Sequence, residues 1–283
     1  MDALIRPATE HPVQEINTTT DTRDYLAKSR QDAERKGYAD WLIVDIDAHH
    51  VETVSWPEVT SFIEDPVVRD QAKMYHSERI GAPPYGLNGD LGLRYQDVGG
   101  RIPHQSSQRE KVTETDVHRD VVLTRRAMHG LGVDYMVIFP TPMLFLGMHP
   151  QTEMEVFLSR AYNRWLTEKV LPGDPGMVTL VVLPFNTPVE ALKMVEEFAD
   201  TPGVIGYCVT STRYKPVHAN EYMNLYRAIE SLGNSFAYMS GYEIKSFLFS
   251  PIYIDSFEGF SISITFVFFK DNKGISIKSI VFS

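Results

Sequence analysis

The chain has 283 residues, 43% of them hydrophobic, which is enough to bury one large core or two small ones. Its 27 Lys and Arg stand against 37 Asp and Glu, a net charge of -10 with no basic block, so nucleic acid is not an expected partner. The single Cys208 excludes an intramolecular disulfide, and Met1 to Pro7 opens without an apolar stretch of signal-peptide length, so a cytoplasmic protein is expected.

Residues 1 to 40 are polar. Asp21 to Lys36 alternates acids and bases as a solvated helix does, and the segment reads as an outer arm. The apolar run Trp41-Leu42-Ile43-Val44 then predicts a first strand, followed at once by Asp45-Ile46-Asp47-Ala48-His49-His50-Val51-Glu52. Side chains alternate along a strand, so Asp45, Asp47 and His49 would share one face if the strand ran on through them. A carboxylate and an imidazole side by side suit zinc, manganese or iron, and Asp45, His50 and Glu52 crowd the same turn as supporting partners.

From Thr53 to about His118 the chain is rich in Pro and Gly with little periodicity, and it reads as one long connection. Regular alternation follows. Val117 to Leu131 predicts a helix closed by Gly132, and Asp134 to Phe139 a strand stopped at Pro140. Glu153 to Val170 predicts a helix, Val178 to Leu183 a strand, and Pro188 to Phe198 a helix entered through Thr187. Val204 to Val209, Glu221 to Leu232 and Phe236 to Met239 continue the series as strand, helix and strand. Strands alternating with helices predict an α/β fold with a parallel sheet.

Glu243 to Ser283 is a different kind of sequence: eight Ile, eight Phe and eight Ser make up 24 of its 41 residues. The expectation is a tail from a shifted frame or an unspliced intron; the alternative is a genuine β hairpin. Its most apolar stretch, Phe260 to Phe269, is about half the ~20 residues a membrane helix needs, so no membrane partner is expected.

Arg213, Lys215 and His218 follow the fourth predicted strand and could bind an anionic substrate. His76, His104, His118, His129 and His149 lie in loops or helices without ligand spacing, and Cys208 sits in an apolar strand without a base beside it. No P-loop, G-x-S-x-G or G-x-G-x-x-G is present.

Ile43 to Glu52 resembles the first-strand metal motif of the amidohydrolase-related family, the group containing aminocarboxymuconate semialdehyde decarboxylase and γ-resorcylate decarboxylase. Val133 to Thr141, Ala161 to Leu166, Leu183 to Asn186, Gly203 to Gly206 and Leu232 to Gly241 resemble that family's later segments in order. The resemblance implies a metal-dependent (β/α)₈ TIM barrel in which Asp47 and His49 hold a zinc or manganese ion. It further implies a ligand His on the fifth strand, a catalytic His on the sixth and an Asp on the eighth. This chain has Met239 at the fifth-strand position, and a thioether is a poor partner for either ion.

About five of eight β/α units are readable, within residues 41 to 242. Open strand edges and uncovered helix faces predict a chain that is marginal, aggregation-prone or rescued by self-association as a homo-oligomer. The implied activity is metal-dependent hydrolysis or non-oxidative decarboxylation of a small carboxylate or carbonyl substrate. The alternatives are an inactive truncated paralogue or gene-model product acting at most as an interaction partner, and a binding protein on a degenerate barrel.

Overall fold

The computed structural model describes residues 22–50, 52–74, 112–114, 116–141, 143, 146–147, 149, 151–210, 219–233, 235–239, 268–271 and 274–277. Five strands form one sheet: β1 (Val44–His50), β2 (Tyr135–Pro140), β3 (Met177–Val182), β4 (Val204–Thr210) and β5 (Ser235–Met239). Each is parallel to the next, and their spatial order follows the chain. Sequential order means that every crossover advances in the same direction, and right-handed crossovers then bring all connecting helices to one face. A doubly wound sheet would reverse direction at a switch point. This sheet is therefore an arc of a (β/α) barrel.

The helices are α1 (Thr22–Arg35), α2 (Trp56–Ser61), α3 (Pro66–Met74), α4 (Arg119–Leu131), α5 (Thr152–Trp165), α6 (Pro188–Phe198) and α7 (Met223–Ser231). The helix expected over 153–170 changes at Leu166 to one wide turn, Leu166–Val170. A turn of α4 ends where Gly132 takes φ 69 and its N–H bonds back to the Met128 carbonyl. A side chain there would be strained twice, by the left-handed backbone and by a Cβ only 2.9 Å from that of Ala33. Gly130 gives α1 its close approach to α4: a Cβ there would meet Leu26 at 2.8 Å.

The stretch from Thr53 to His118 is not one irregular connection. Residues 52–74 hold a 3-10 turn followed by α2 and α3, while residues 75–111 and 115 lie outside the described residues. The prolines that argued against structure are helix starts: Pro57 is at the first turn of α2, and Pro66 opens α3. Asp65 completes the second start, its Oδ1 accepting the amides of Val67 at 2.8 Å and Val68 at 3.0 Å. Trp56 then ties the two helices together by donating Nε1–H to the Ala72 carbonyl at 3.0 Å.

Two apolar clusters hold the sheet. Around β1 to β3, the fully buried Trp56, Val59, Phe139, Leu158, Tyr162 and Trp165 pack α2 and α5 onto the strands. Around β3 and β4, Val181, Tyr207, Val209, Met194 and Leu225 pack α6 and α7, and Phe185 stacks on Tyr222 with ring centres 3.9 Å apart. Each such side chain contributes about 1.5–3 kcal/mol by leaving water. Residues 136–140 of β2 are all buried, as expected of a strand covered on both faces, whereas every residue of β1 keeps some exposure. β1 has only β2 for a neighbour among the described residues.

The first strand also begins later than its apolar run. Trp41 lies outside it and is 70% exposed, while the ligand-type residues themselves form the strand. In the tail, β6 (Phe268–Asp271) and β7 (Gly274–Ile277) form an antiparallel pair separate from the parallel sheet, so a hairpin is present at those positions. Among the described residues no helix is long and apolar enough to cross a membrane.

Candidate metal centre

The strand register puts His49 and His50 opposite Phe139 and Pro140, at the C-terminal ends of β1 and β2. Val182 and Thr210 occupy the corresponding ends of β3 and β4, and Met239 pairs with Thr210 at the end of β5. All five strands thus present their C-terminal ends along one rim, the place where barrel folds put chemistry.

Between Asp45 and Ala48 the pairing to β2 slips by one residue, a β-bulge. The slip interrupts the regular pairing across Asp45 and Asp47. Within it the Asp45 Oδ1 accepts the Asp47 amide at 3.0 Å. Asp47 and His49 do come together: Asp47 Oδ1 lies 3.2 Å from His49 Nε2. The Asp47 side chain is 72% exposed and that of His49 19%.

The other His49 nitrogen decides what this pair can do. Nδ1 lies 2.9 Å from the Pro140 carbonyl, which can only accept, so the proton of the ring sits on Nδ1. Nε2 then offers a lone pair toward a carboxylate that is also an acceptor. Two acceptors at 3.2 Å repel unless a second proton or a metal cation lies between them. Burial pulls the His49 pKa down, but the hydrogen bond and charge of Asp47, the Pro140 carbonyl and the charge of Glu52 outweigh it, and the net direction is upward.

His50 and Glu52, beside the pair in sequence, are tied to the protein interior. His50 points inward, with Nδ1 3.1 Å from Asp120 Oδ2 and Nε2 2.8 Å from the Tyr162 hydroxyl, and its ring stacks on Trp165. Burial pushes the Asp120 carboxyl up, yet the His50 hydrogen bond and the charges of His50, His118 and Arg119 bring it below its ordinary value. Glu52 is fully buried, its two oxygens accepting the amides of Thr141 at 2.9 Å and Met143 at 2.6 Å. Burial raises its carboxyl, and His50 and the backbone amides only partly oppose this.

His118 caps α4: its Nδ1 accepts the Asp120 amide at 3.1 Å, which leaves Nε2 to donate to Glu58 Oε2 at 3.1 Å. His149 is buried and hydrogen-bonded to Gln151. Cys208 is buried and pushed up to about 12 by burial, so it is no nucleophile. Arg213, Lys215 and His218 lie outside the described residues. A hollow of about 330 Å³ lined by Tyr38, Trp41, Leu42 and Ile43 sits at the opposite end of β1 from the pair.

Asp47 and His49 fit two ligand places of a divalent ion by donor type and by separation. Among the described residues no group of three or more His, Cys, Asp or Glu side chains converges. What sequence reasoning missed was the inward network, because Asp120 and Tyr162 stand 70 and 112 residues from His50. The Pro140 carbonyl carries no side-chain signature at all.

The sheet is similar to part of several solved structures. One is an amidohydrolase II, 15% identical with a TM-score of 0.43, the match covering 69% of this chain and 49% of that one. Another is 5-carboxyvanillate decarboxylase from Sphingomonas paucimobilis, 18% identical with a TM-score of 0.43, covering 69% and 50%. A third is dihydroxybenzoic acid decarboxylase from Polaromonas with bound manganese and 2-nitroresorcinol, 13% identical with a TM-score of 0.41, covering 69% and 48%. These neighbours are an amidohydrolase and two decarboxylases. The chain spans about half the length of each. No family model matches the sequence, and no curated protein matches it.

Proposed function

We propose that Asp47 and His49 are the first two ligands of a divalent metal site of the amidohydrolase type, in an enzyme that hydrolyses or non-oxidatively decarboxylates a small carboxylate or carbonyl substrate. The observation that carries this reading is the facing of Asp47 Oδ1 and His49 Nε2 at 3.2 Å while Nδ1 is committed to the Pro140 carbonyl. That arrangement leaves two acceptors toward one point at the functional rim of a barrel arc. When bound, a divalent ion supplies Lewis acidity toward a substrate oxygen and lowers the pKa of water. The chain's own part is orientation: Asp45 holds the Asp47 backbone and Pro140 holds the His49 ring.

The reaction chosen depends on what approaches the rim. Arg213, Lys215 and His218 are proposed to meet a substrate anion there, following β4 in the chain as they do. A substrate carboxylate held by Arg213 and Lys215 would be oriented for decarboxylation, and an ester or amide would be presented for hydrolysis.

A second reading is favoured by Met239. Its backbone lies at the rim end of β5, where the family resemblance places a ligand His, and a thioether does not replace imidazole for zinc or manganese. On that reading the chain is an inactive relative whose remaining role is interaction with other proteins.

Calorimetric titration of the metal-free full chain with Zn²⁺ and with Mn²⁺ separates the two. Stoichiometric binding that is lost in Asp47→Ala and His49→Ala supports the metal site. Wild-type protein that takes up neither ion removes the enzyme reading and leaves the second.

A further inference from the structure

Four contacts bind the end of β1 to the segment that follows β2. Glu52 accepts the amides of Thr141 and Met143 with its two oxygens, the Thr141 hydroxyl donates to the His50 carbonyl at 2.8 Å, and the Pro140 carbonyl meets His49 Nδ1 at 2.9 Å. Three of these fix the peptide chain of residues 141 and 143, and the fourth passes that placement to the imidazole. Pro140 itself offers no N–H to hold it, so the position of its carbonyl is set by its neighbours.

From this geometry we infer that Glu52 is a positioning residue for His49: by clamping Thr141 and Met143 it holds the Pro140 carbonyl where it orients the imidazole with Nε2 toward Asp47.

The chemistry of the position is specific. A carboxylate accepts at both oxygens, so it can receive two amides at once. A glutamine of the same shape has one oxygen and one NH₂, and sets a donor against one of the two amides. The clamp is also inside: Glu52 is 0% exposed and Met143 is 0% exposed, so water does not substitute readily for a lost contact. Nothing else in the described residues bonds to both amides.

The consequence for metal affinity rests on the reading of Asp47 and His49 as ligands, whereas the consequence for the His49 ring does not. Both are read on the full chain. Two-bond ¹H–¹⁵N spectra of ¹⁵N-histidine-labelled, metal-free protein report which ring nitrogen carries hydrogen, with His49→Gln assigning the signal, and calorimetry with Zn²⁺ reports affinity. Read at a pH where the ring carries a single hydrogen, wild type is expected to show it on His49 Nδ1. Glu52→Gln is expected to lose that preference and to bind Zn²⁺ about 10- to 100-fold more weakly, the range usual for groups that orient metal ligands. Asn163→Ala is the control for general loosening, since Asn163 bonds the Val182 backbone away from the clamp. It is expected to leave the His49 signal in place.

A folded Glu52→Gln protein with the His49 signal unchanged overturns the inference, as does an equal shift in Asn163→Ala. If Glu52→Gln does not fold, Glu52→Asp takes its place, drawing the carboxylate back from both amides by one methylene; a His49 signal that moves supports the clamp and one that stays overturns it. Wild-type protein that binds no Zn²⁺ defeats the metal reading alone, and the histidine spectra still decide the role of Glu52.

Discussion

His50 Nδ1 lies 3.1 Å from Asp120 Oδ2, joining the last residue of β1 to the first turn of α4 across 70 residues of chain. Both side chains are nearly buried, at 10% and 4% exposure, so the hydrogen bond works in a medium of low polarity. Tyr162 closes the other side of the ring from α5. The histidine adjacent to the candidate ligand is therefore a joint between one strand and two helices.

Replacing Asp120 tests that joint. The folded pKa of Asp120 is depressed below its ordinary value, so its stabilisation is present above the ordinary carboxylate range and is lost as pH falls through the depressed value. Asp120→Asn is expected to cost about 1–3 kcal/mol at neutral pH, from a charge-assisted bond replaced by a weaker one. In urea denaturation the difference between wild type and variant should narrow toward acid pH. A difference that stays constant from pH 7 to pH 3 would remove the ionised carboxylate from the account.

Asp47→Asn separates ligation from folding. Its side chain is 72% exposed, and surface changes of this kind usually stay within about 0.5 kcal/mol. The expected result is an unchanged denaturation midpoint together with loss of Zn²⁺ uptake. A large drop in stability would show instead that the carboxylate holds the strand together.

Met239→His restores the residue type that the family resemblance places at the end of β5. Zn²⁺ binding is expected to tighten by at least about tenfold if the rim brings three ligands to one ion, since imidazole is a far better partner than a thioether. Equal affinity in the two proteins would mean that position 239 does not face the Asp47 and His49 pair.

Trp56→Ala examines the helix pair between β1 and β2. Trp56 is 1% exposed, packs in the first apolar cluster and holds Ala72 through its indole N–H. Truncation is expected to cost about 3–5 kcal/mol, read as a lower denaturation midpoint. A cost under about 1 kcal/mol would show that α2 and α3 are appendages and not part of the core.

The β/α rhythm from Arg119 onward was readable because each element carries its own period and its own stop. Pro188 to Phe198 is predicted and observed with the same ends, for the chain writes Thr187-Pro188 at its start. Helices α2 and α3 were hidden by the same residue type, since Pro57 and Pro66 look like breakers until Asp65 is recognised as a cap. At the site, the nearness of Asp47 and His49 follows from their spacing of two, and it was legible. The register slip between Asp45 and Ala48 was not, because an extra residue in a strand is defined only by the partner it fails to match. The partners of His50 and Glu52 were equally out of reach, arriving from other strands and helices through tertiary packing.

Successive strands do not meet at equal expense. Thr179 reaches Ile138 over 41 residues and Cys208 reaches Leu180 over 28, but Thr141 reaches His50 only over 91. Closing the longest of these loops costs about 1 kcal/mol more than closing the shortest. β2, β3 and β4 are thus expected to assemble before β1 joins them, and amide exchange should find β1 less protected than β3. The strand that brings Asp47 and His49 is thus expected to join after β2, β3 and β4, and a ligand that grips them would act as a late fastener on strands already paired.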